Sequence, residues 1–251
     1  MIYYYSATGN TRFAAKYLAE KLNTTAYDLL SVELPDTLED DGEPIGIMFP
    51  IYCWGIPPVV NEFVGKLAPK LGGKRYVWGV CTCGDEAGLA MREFDKLVEQ
   101  GRGRGADAIY SVIMPNTYVM LPGFDTDKPE EAERKLKNAP ERLDEIVKTI
   151  ESKTTPVYYV TEGAMPGLRS SIFPIFKKWG VKTKWWHVSD KCIGCGKCAA
   201  ICPAKNITMK DKHPEWGENC FSCCACFHCC PEKAISYAKF TRKKSQYLCP
   251  L

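Results

Sequence analysis

Cysteine is scarce over most of this 251-residue sequence. Only Cys53, Cys81 and Cys83 precede residue 190, whereas eleven of the fourteen cysteines fall in residues 190–251. The N-terminus also lacks the basic stretch, apolar run and cleavage site of a secretory signal. We therefore expect the protein in a reducing cytoplasm, where clustered cysteines serve more often as metal ligands than as disulfide partners.

Long apolar runs are missing too, since no segment reaches the roughly 18 residues of a membrane span, and we expect no such span. The net charge of +3 hides an asymmetry. Residues 1–152 carry 17 Lys and Arg against 24 Asp and Glu, a balance of −7, which leaves +10 for residues 153–251. Metal centres held by cysteine thiolates bring negative charge that offsets part of such an excess, so we predict no nucleic-acid partner.

Motifs of hydrolytic enzymes are also lacking. The sequence has no Ser/His/Asp constellation, no HExxH zinc motif and no carboxylate pair at an evident site. His187 and His213 have no partner at ligand spacing, so we interpret them as surface or packing residues. The expected chemistry is therefore that of bound cofactors.

Residues 1–152 alternate between strand-like and helix-like patterns. The predicted strands are MIYYYS, TAYDLL, PIGIMFPIY, RYVWGVCTC and AIYSVIMP. Amphipathic stretches between them predict helices, and the last helix, residues 128–152, contains Pro140 as a point of kinking or division. Five strands with helical crossovers predict an α/β fold, a parallel sheet covered on both faces.

Residues 153–189 fit neither pattern, because SSIFPIFKKWGVKTKWWHV mixes aromatic residues with lysines. We interpret the segment as a connector that packs its aromatic side chains on one or both neighbours. The alternative is a docking surface, over residues 168–187, for a partner or an anionic membrane face. Residues 190–240 have too few apolar segments for an ordinary core, so something other than side-chain burial must stabilise them.

The segment SATGNT, residues 6–11, joins the first predicted strand to the first helix. Its hydroxyl groups, the permissive Gly9 and the N–H groups of the helix start form a cradle for an anion, most naturally a phosphate. The alternative is a helix capped by Thr8 or Asn10. The loop resembles the phosphate loop of flavodoxins, which bind FMN. That resemblance implies a flavodoxin-like, doubly wound sheet of order 2-1-3-4-5, with phosphate contacts at Ser6, Thr8, Gly9, Asn10 and Thr11.

The same resemblance implies further loops at the strand ends that hold the flavin ring. The matching segments are residues 50–55, residues 81–88 and the loop after the fifth strand, where aromatic side chains would stack on the ring and backbone groups would bond its polar edge. The predicted ring positions are Pro50, Tyr52, Trp54, Gly55, Thr82, Cys83, Gly84, Asp85, Asn116 and Tyr118. We interpret Cys53, Cys81 and Cys83 as small buried or loop thiols.

Two cysteine runs lie in the C-terminal region, CIGCGKCAAICP from Cys192 and CFSCCACFHCCP from Cys220. Each contains the spacing C-x2-C-x2-C-x3-C-P, in which three cysteines bind one 4Fe–4S cube and the fourth binds another. Two copies supply each other's leftover ligand. The alternative is a four-cysteine zinc site, although zinc knuckles need neither the third cysteine nor the trailing proline.

This region resembles the two-cluster bacterial ferredoxins, which implies a small α+β domain with crossed ligand sets. The first cluster would take Cys192, Cys195, Cys198 and Cys230, and the second Cys220, Cys223, Cys226 and Cys202. Cys224 and Cys229 lie off the spacing. We interpret them as space-filling thiols; alternative ligands, hydrogen-bond donors near sulfide and redox-active thiols are the other interpretations. We interpret His228 as a neighbour that tunes the reduction potential.

The whole chain resembles a fused flavodoxin–ferredoxin family of anaerobic microbes. The implied domains are residues 1–152 for FMN, 153–189 for the connector and 190–251 for two 4Fe–4S clusters. The implied function is electron transfer between FMN and the clusters and on to redox partner proteins. Two alternatives stay open: a flavin-dependent reductase of a small substrate supplied with electrons through the clusters, and a subunit that docks to a larger redox complex.

Overall fold

A six-stranded parallel β-sheet forms the centre of the N-terminal region. The computed structural model describes residues 1–38, 42–174, 176 and 183–250. The strands are β1 (Ile2–Tyr4), β2 (Ala26–Asp28), β3 (Ile45–Pro50), β4 (Val77–Cys83), β5 (Ala108–Ile113) and β6 (Val157–Tyr159). Their order is β2-β1-β3-β4-β5-β6, with every neighbouring pair parallel. The predicted order of the first five strands is confirmed, and β6 adds a sixth from the segment that we interpreted as a connector.

Helices cover both faces of this sheet. The long ones are α1 (Asn10–Lys21), α2 (Pro58–Leu67), α3 (Ala90–Arg102) and α4 (Pro129–Glu151). Helices α2 and α3 pack on one face through residues such as Val64 and Phe94, and α1 and α4 on the other through Leu18 and Leu143. Pro140 lies inside α4 without dividing it. Within the described part of the chain, no helix is both long and apolar enough to cross a membrane.

The connector contributes elements to the N-terminal sheet and to the C-terminal region. After β6 come α5 (Pro166–Ser170) and β7 (Trp186–Val188). The Ser170 hydroxyl donates to the Trp54 carbonyl oxygen at 3.1 Å, and the Phe173 ring lies where a Cβ atom on Gly55 would be. The aromatic connector therefore packs on the N-terminal region. Of the predicted docking segment, residues 175 and 177–182 lie outside the described residues.

The C-terminal region is a small α+β unit. Its further elements are α6 (Lys197–Ile201), β8 (Ile207–Lys210), β9 (His213–Trp216), α7 (Ala225–His228) and β10 (Ile235–Tyr237). Strands β7 and β10 pair antiparallel, as do β8 and β9. Val119 and Met120, from the loop after β5, are buried in the core of this unit. The unit therefore packs against the edge of the sheet where the strands end, which is the edge at which open α/β sheets bind ligands.

Candidate cofactor sites

The loop between β1 and α1, residues 6–11, has the form of an anion cradle. Gly9 adopts a φ of +100°, a left-handed conformation natural to glycine, directly before the first residue of α1. None of the described side chains caps this helix start, so its N–H groups are available to a ligand. Ser6 and Thr8 line the adjoining cleft with their hydroxyl-bearing side chains. This donor set fits a phosphate.

Asn10 and Thr11 in the same loop hold its position. Asn10 Nδ2 donates to the Pro115 carbonyl oxygen at 2.8 Å, and Thr11 Oγ1 lies 2.7 Å from Thr82 Oγ1. Both contacts are buried, and they tie the loop to the ends of β5 and β4. The predicted phosphate contacts at these two residues therefore fall to their backbone N–H groups and stay a prediction.

A cleft with about 700 Å³ of empty space, partly open to solvent, runs from this loop along the sheet edge. Eleven of the fifteen residues that we predicted for FMN line it: Ser6, Thr8, Asn10, Thr11, Pro50, Tyr52, Thr82, Cys83, Gly84, Asn116 and Tyr118. The other four, Gly9, Trp54, Gly55 and Asp85, are not among the lining residues. The sequence did not single out Cys53 as a lining residue, nor Phe176, Ser222, Cys223 and Cys224, which distant segments bring to the cleft.

The loop of residues 50–55 makes a tight turn in which Tyr52 and Gly55 pair through their backbones. Cys53 and Trp54, at its tip, have φ values of 47° and 58°. The Trp54 indole N–H donates to Glu86 at 2.9 Å, on the side of α5, so ring contact at Trp54 stays a prediction. Burial raises the pKa of the Cys53 thiol to about 11, which keeps it neutral at pH 7.

Asn116 is fixed by a partly buried network of charged side chains beside the cleft. Its backbone N–H donates to Asp127 at 2.9 Å, and its side-chain Nδ2 donates to both Asp127 and Asp85. Lys135, only 3% exposed, lies 2.8 Å from Asp127. Burial alone would raise the pKa of Asp127, but hydrogen bonds from Lys135 and Asn116 hold it below its usual value. A Cβ atom on Gly84 would overlap Asn116, so glycine is needed there.

Tyr118 offers the cleft an unsatisfied polar group. Its hydroxyl is buried and has no hydrogen-bond partner among the residues that the structure describes. The ring packs edge-on against Phe124 and Phe176, at 5.7 and 6.1 Å between centroids. Buried hydroxyl groups usually find a partner, so this one fits a site for a polar ligand.

A cavity with about 330 Å³ of empty space, the first cavity, lies in the C-terminal unit. It is lined by the four cysteines predicted for the first cluster, Cys192, Cys195, Cys198 and Cys230. Cys230 Sγ accepts the backbone N–H of Ala234 at 3.3 Å. Cys195 is exposed, and the neighbouring Ile193 is 63% exposed. The first cavity therefore faces solvent.

The second cavity, which is partly open to solvent, is lined by the other predicted set, Cys202, Cys220, Cys223 and Cys226. Cys202 Sγ accepts the N–H of Asn206 and Cys220 Sγ that of Ser222, both at 3.4 Å. Such N–H contacts favour the thiolate form that binds iron. Each predicted cysteine set therefore lines a cavity of its own.

The two extra cysteines act as hydrogen-bond donors. Cys224 Sγ donates to the Ser222 carbonyl oxygen at 3.8 Å, and Cys229 Sγ donates to that of Cys226 at 3.4 Å. Burial raises the pKa of both thiols to about 12, and it also raises the pKa of the predicted ligands Cys220, Cys223 and Cys226. The donor contacts of the two extra cysteines are consistent with space-filling thiols, which stay a prediction.

His228 joins the C-terminal unit to the sheet edge. Its Nε2 donates to the Thr117 carbonyl oxygen at 2.7 Å, and its Nδ1 accepts the N–H of Tyr247 at 3.1 Å. These partners assign the neutral tautomer with the proton on Nε2. Burial lowers the pKa of His228 to about 4, in keeping with that neutral form. The observed contacts are structural, and the predicted tuning role stays a prediction.

The C-terminal tail lies on the phosphate loop, a contact that the sequence did not indicate. The backbone N–H of Cys249 donates to the Thr8 carbonyl oxygen at 2.9 Å, and the Tyr247 hydroxyl donates to Asn10 Oδ1 at 3.2 Å. A Cβ atom on Gly9 would lie 2.8 Å from Cys249 Cβ. A bulky residue at Gly9 would therefore strike the tail as well as disturb the loop.

The cleft and the second cavity share a wall. Cys223 and Cys224 line both spaces, and Ser222 lines the cleft beside them. The first cavity has no lining residue in common with the cleft in the described part of the chain. Of the two cysteine-lined cavities, the second is thus the one that borders the cleft.

Comparison with known proteins agrees with these two kinds of site. Residues 1–102 match the family model of the flavodoxin domain, and residues 186–208 match that of the 4Fe-4S binding domain. No curated protein shows significant similarity to the chain.

Solved structures with similar folds were also found. The flavodoxin of Streptococcus pneumoniae TIGR4 is 19% identical, with 61% of this chain and 97% of that one covered and a TM-score of 0.42. A Fusobacterium nucleatum flavodoxin mutant bound to flavin mononucleotide is 13% identical, with 61% and 95% covered and a TM-score of 0.41. A flavone reductase is 10% identical, with 88% and 84% covered and a TM-score of 0.40. Likeness this distant says nothing about the chemistry of this chain.

Proposed function

We propose that this chain, a flavin and iron–sulfur redox protein of fused flavodoxin–ferredoxin architecture, transfers electrons between FMN and two 4Fe–4S clusters and on to redox partners in anaerobic metabolism. When bound, FMN supplies exchange of one or two electrons and each cluster supplies exchange of one. The shared wall formed by Cys223 and Cys224 carries the proposal, because it brings the flavin cleft and a four-cysteine cavity into contact. A reducing cytoplasm would keep the thiols available to iron.

The chain's own residues would hold each cofactor in a defined place. Ser6, Thr8 and the N–H groups at the start of α1 would bind the FMN phosphate, and Tyr52 and Tyr118 would border the ring. The crossed cysteine sets would bind the two clusters and join the two halves of the C-terminal unit. The predicted ring contacts at Trp54, Gly55 and Asp85 remain part of the hypothesis, with less support from their placement.

The arrangement suggests an order of sites. The second cavity borders the cleft, whereas the first cavity reaches the surface at Cys195 and Ile193. We therefore place the exchange with redox partners at the first cluster. The docking role predicted for the connector is a further hypothesis, since part of that segment lies outside the described residues.

Anaerobic reconstitution of the full chain with FMN, iron and sulfide tests this function. We expect one FMN and about eight iron atoms per chain, and reduction of the clusters after photoreduction of the flavin. Thr8→Val should weaken FMN binding about tenfold or more, as expected for a lost hydrogen bond to a charged group, while the exposed Thr25→Val serves as control. Bound zinc without acid-labile sulfide, or clusters that the photoreduced flavin never reduces, would overturn the proposal.

The unsatisfied hydroxyl of Tyr118 favours a second candidate, a reductase that binds a small polar substrate in the cleft. If Tyr118 bonds a substrate, Tyr118→Phe should impair turnover of a small acceptor and leave the FMN affinity unchanged. If the hydroxyl bonds the flavin instead, the same variant should lower the FMN affinity. A screen of the photoreduced protein against small organic and inorganic acceptors distinguishes the two candidates.

A further inference from the structure

Two stacked tryptophans close the second cavity. Trp186 on β7 and Trp216 at the end of β9 lie with ring centroids 5.8 Å apart and an interplanar angle of 13°. Both line the second cavity, and Trp186 is 5% exposed. A further edge-on contact with Tyr237, at 5.0 Å, holds the Trp186 ring in place. The pair is therefore a rigid part of the cavity wall.

The indole N–H groups of this pair are available to the cavity. Both are buried, and neither has a hydrogen-bond partner of standard geometry among the described residues. The space that the two tryptophans line is also lined by Cys202, Cys220, Cys223 and Cys226. Two buried N–H donors without a partner thus share a cavity with one complete predicted ligand set.

Among the described residues, no tryptophan lines the first cavity. The two cysteine runs are offset by 28 positions, from Cys192 to Cys220, and the same offset relates Trp186 to Pro214, which lines the first cavity. Trp216 is paired with Ile207, and its counterpart in the other strand pair is Val188, paired with Ile235. Proline and valine side chains have no N–H group to offer a thiolate. The indole donors therefore distinguish the second cavity from the first.

We propose that Trp186 and Trp216 are positioning residues of the second cluster, donating their indole N–H groups to thiolates of its ligand set and so favouring the reduced cluster. This inference rests on the proposed function. Reduction adds one electron to the cluster, and the bonds to the thiolates remain. Because N–H donors stabilise added negative charge on sulfur, they raise the reduction potential. The cluster beside the flavin cleft would then accept electrons more readily than it would without the pair.

Potentiometric titration of the reconstituted full chain, followed by EPR, tests the proposal. We expect Trp186→Phe and Trp216→Phe each to move the midpoint potential of the second cluster to more negative values, and the double variant to move it furthest. The first cluster and FMN should keep their potentials. Trp185→Phe, at a neighbouring residue outside the cavity lining, is the matched control and should change none of them. An unchanged second cluster, or an equal shift of both clusters, would overturn the proposal.

A second substitution separates hydrogen bonding from packing. Replacing Trp216 by benzothienylalanine keeps the fused ring but exchanges the N–H for sulfur, so the negative shift should persist in a variant that retains the stack. A shift seen with phenylalanine but not with benzothienylalanine would assign the effect to packing and refute the donor role. Iron and sulfide analysis of every variant keeps the two hypotheses apart. A natural chain that binds no clusters contradicts the proposed function, whereas variants with intact clusters and unchanged potentials contradict only the tryptophan proposal.

Discussion

The two cysteine runs have similar backbone conformations and different surroundings. They begin at Cys192 and Cys220, and the same offset relates Lys205 and Lys233, whose φ values are 47° and 49°. In both runs, the residue four positions after the last cysteine of the spacing donates its N–H to that sulfur. One run borders solvent and the other borders the cleft that we propose for FMN. Differences between the runs therefore indicate what the neighbourhood of this cleft requires.

The clearest difference lies at a left-handed position inside each run. The first run has Gly196 there, with a φ of 73°, and the second has Cys224, with a φ of 58°. A non-glycine residue in this conformation costs roughly 1–2 kcal/mol, so the second run tolerates strain that the first avoids. Cys224 fills the wall between the cleft and the second cavity. We infer that the Cys224 side chain fills the space between the cleft and the second cavity and does not bind iron as an additional ligand.

Removing one predicted ligand from each run should reveal the largest difference between the runs, in iron content and in flavin-driven reduction. We expect Cys223→Ala to lose the second cluster, to halve the iron content from about eight atoms and to abolish flavin-driven reduction of the first cluster. Cys195→Ala should lose the first cluster and keep flavin-driven reduction of the second. Iron analysis and EPR after photoreduction of FMN measure both variants. Reduction that survives Cys223→Ala but fails in Cys195→Ala would reverse the proposed order.

The stability of the loop after β5, which packs against the C-terminal unit, should depend on pH through Asp127. Its pKa is held below the usual value near 3.8, so its ion pair stabilises fully above that pH and is lost as pH falls through the folded pKa. We expect Asp127→Asn to lower the free energy of unfolding at pH 7 by about 2–3 kcal/mol, and to weaken FMN binding through Asn116. Denaturation at several pH values checks this. A difference from the natural protein that persists undiminished at pH 2 would contradict the role of the carboxylate.

A lysine in the C-terminal tail binds the loop after β5. Lys244 Nζ donates to the carbonyl oxygens of Val119, Leu121 and Phe124, at 2.6, 2.6 and 2.5 Å. Because two of these contacts are exposed, water can replace them, and we expect Lys244→Ala to cost about 1–2 kcal/mol in stability. The exposed Lys243→Ala is the control. Equal unfolding midpoints in the two variants would show that the tail contact contributes nothing specific.

Local patterns in the sequence predicted the parts of the fold and site that depend on local order. Strands β3 and β4 are continuous apolar runs because both faces of the sheet are covered. The order of the first five strands, which the resemblance to flavodoxins implied, is confirmed. The cysteine spacing predicted the two sets that line separate cavities, since three members of each set lie within seven residues. Strand β6 was missed although Val157, Tyr158 and Tyr159 are residues that favour strands, because the three are half-buried or exposed and form no buried apolar run.

Contacts between distant segments decided the rest. Trp54 stands in a flavin-type loop, but its orientation depends on Glu86 and the connector, whose positions follow from the packing of the whole chain. The contact of Cys249 with Thr8 joins the two ends of the sequence. No local sequence pattern predicts the contact of the tail with Thr8 or the position of Cys223 between the cleft and the second cavity. Both depend on how the C-terminal unit packs against the sheet.

Exchanging the left-handed residues tests the wall directly and has the smallest expected effect on stability. Cys224→Gly relieves backbone strain but opens a gap, and these opposing terms should leave the free energy of unfolding within about 1 kcal/mol of the natural protein. Flavin-driven reduction of the second cluster should nevertheless slow, because the filled wall between the two sites is lost. Gly196→Cys, the reciprocal change, should cost about 1–2 kcal/mol and leave that rate unchanged. Rapid-mixing spectroscopy and denaturation measure both, and an unchanged rate in Cys224→Gly would contradict the role of Cys224 as wall material.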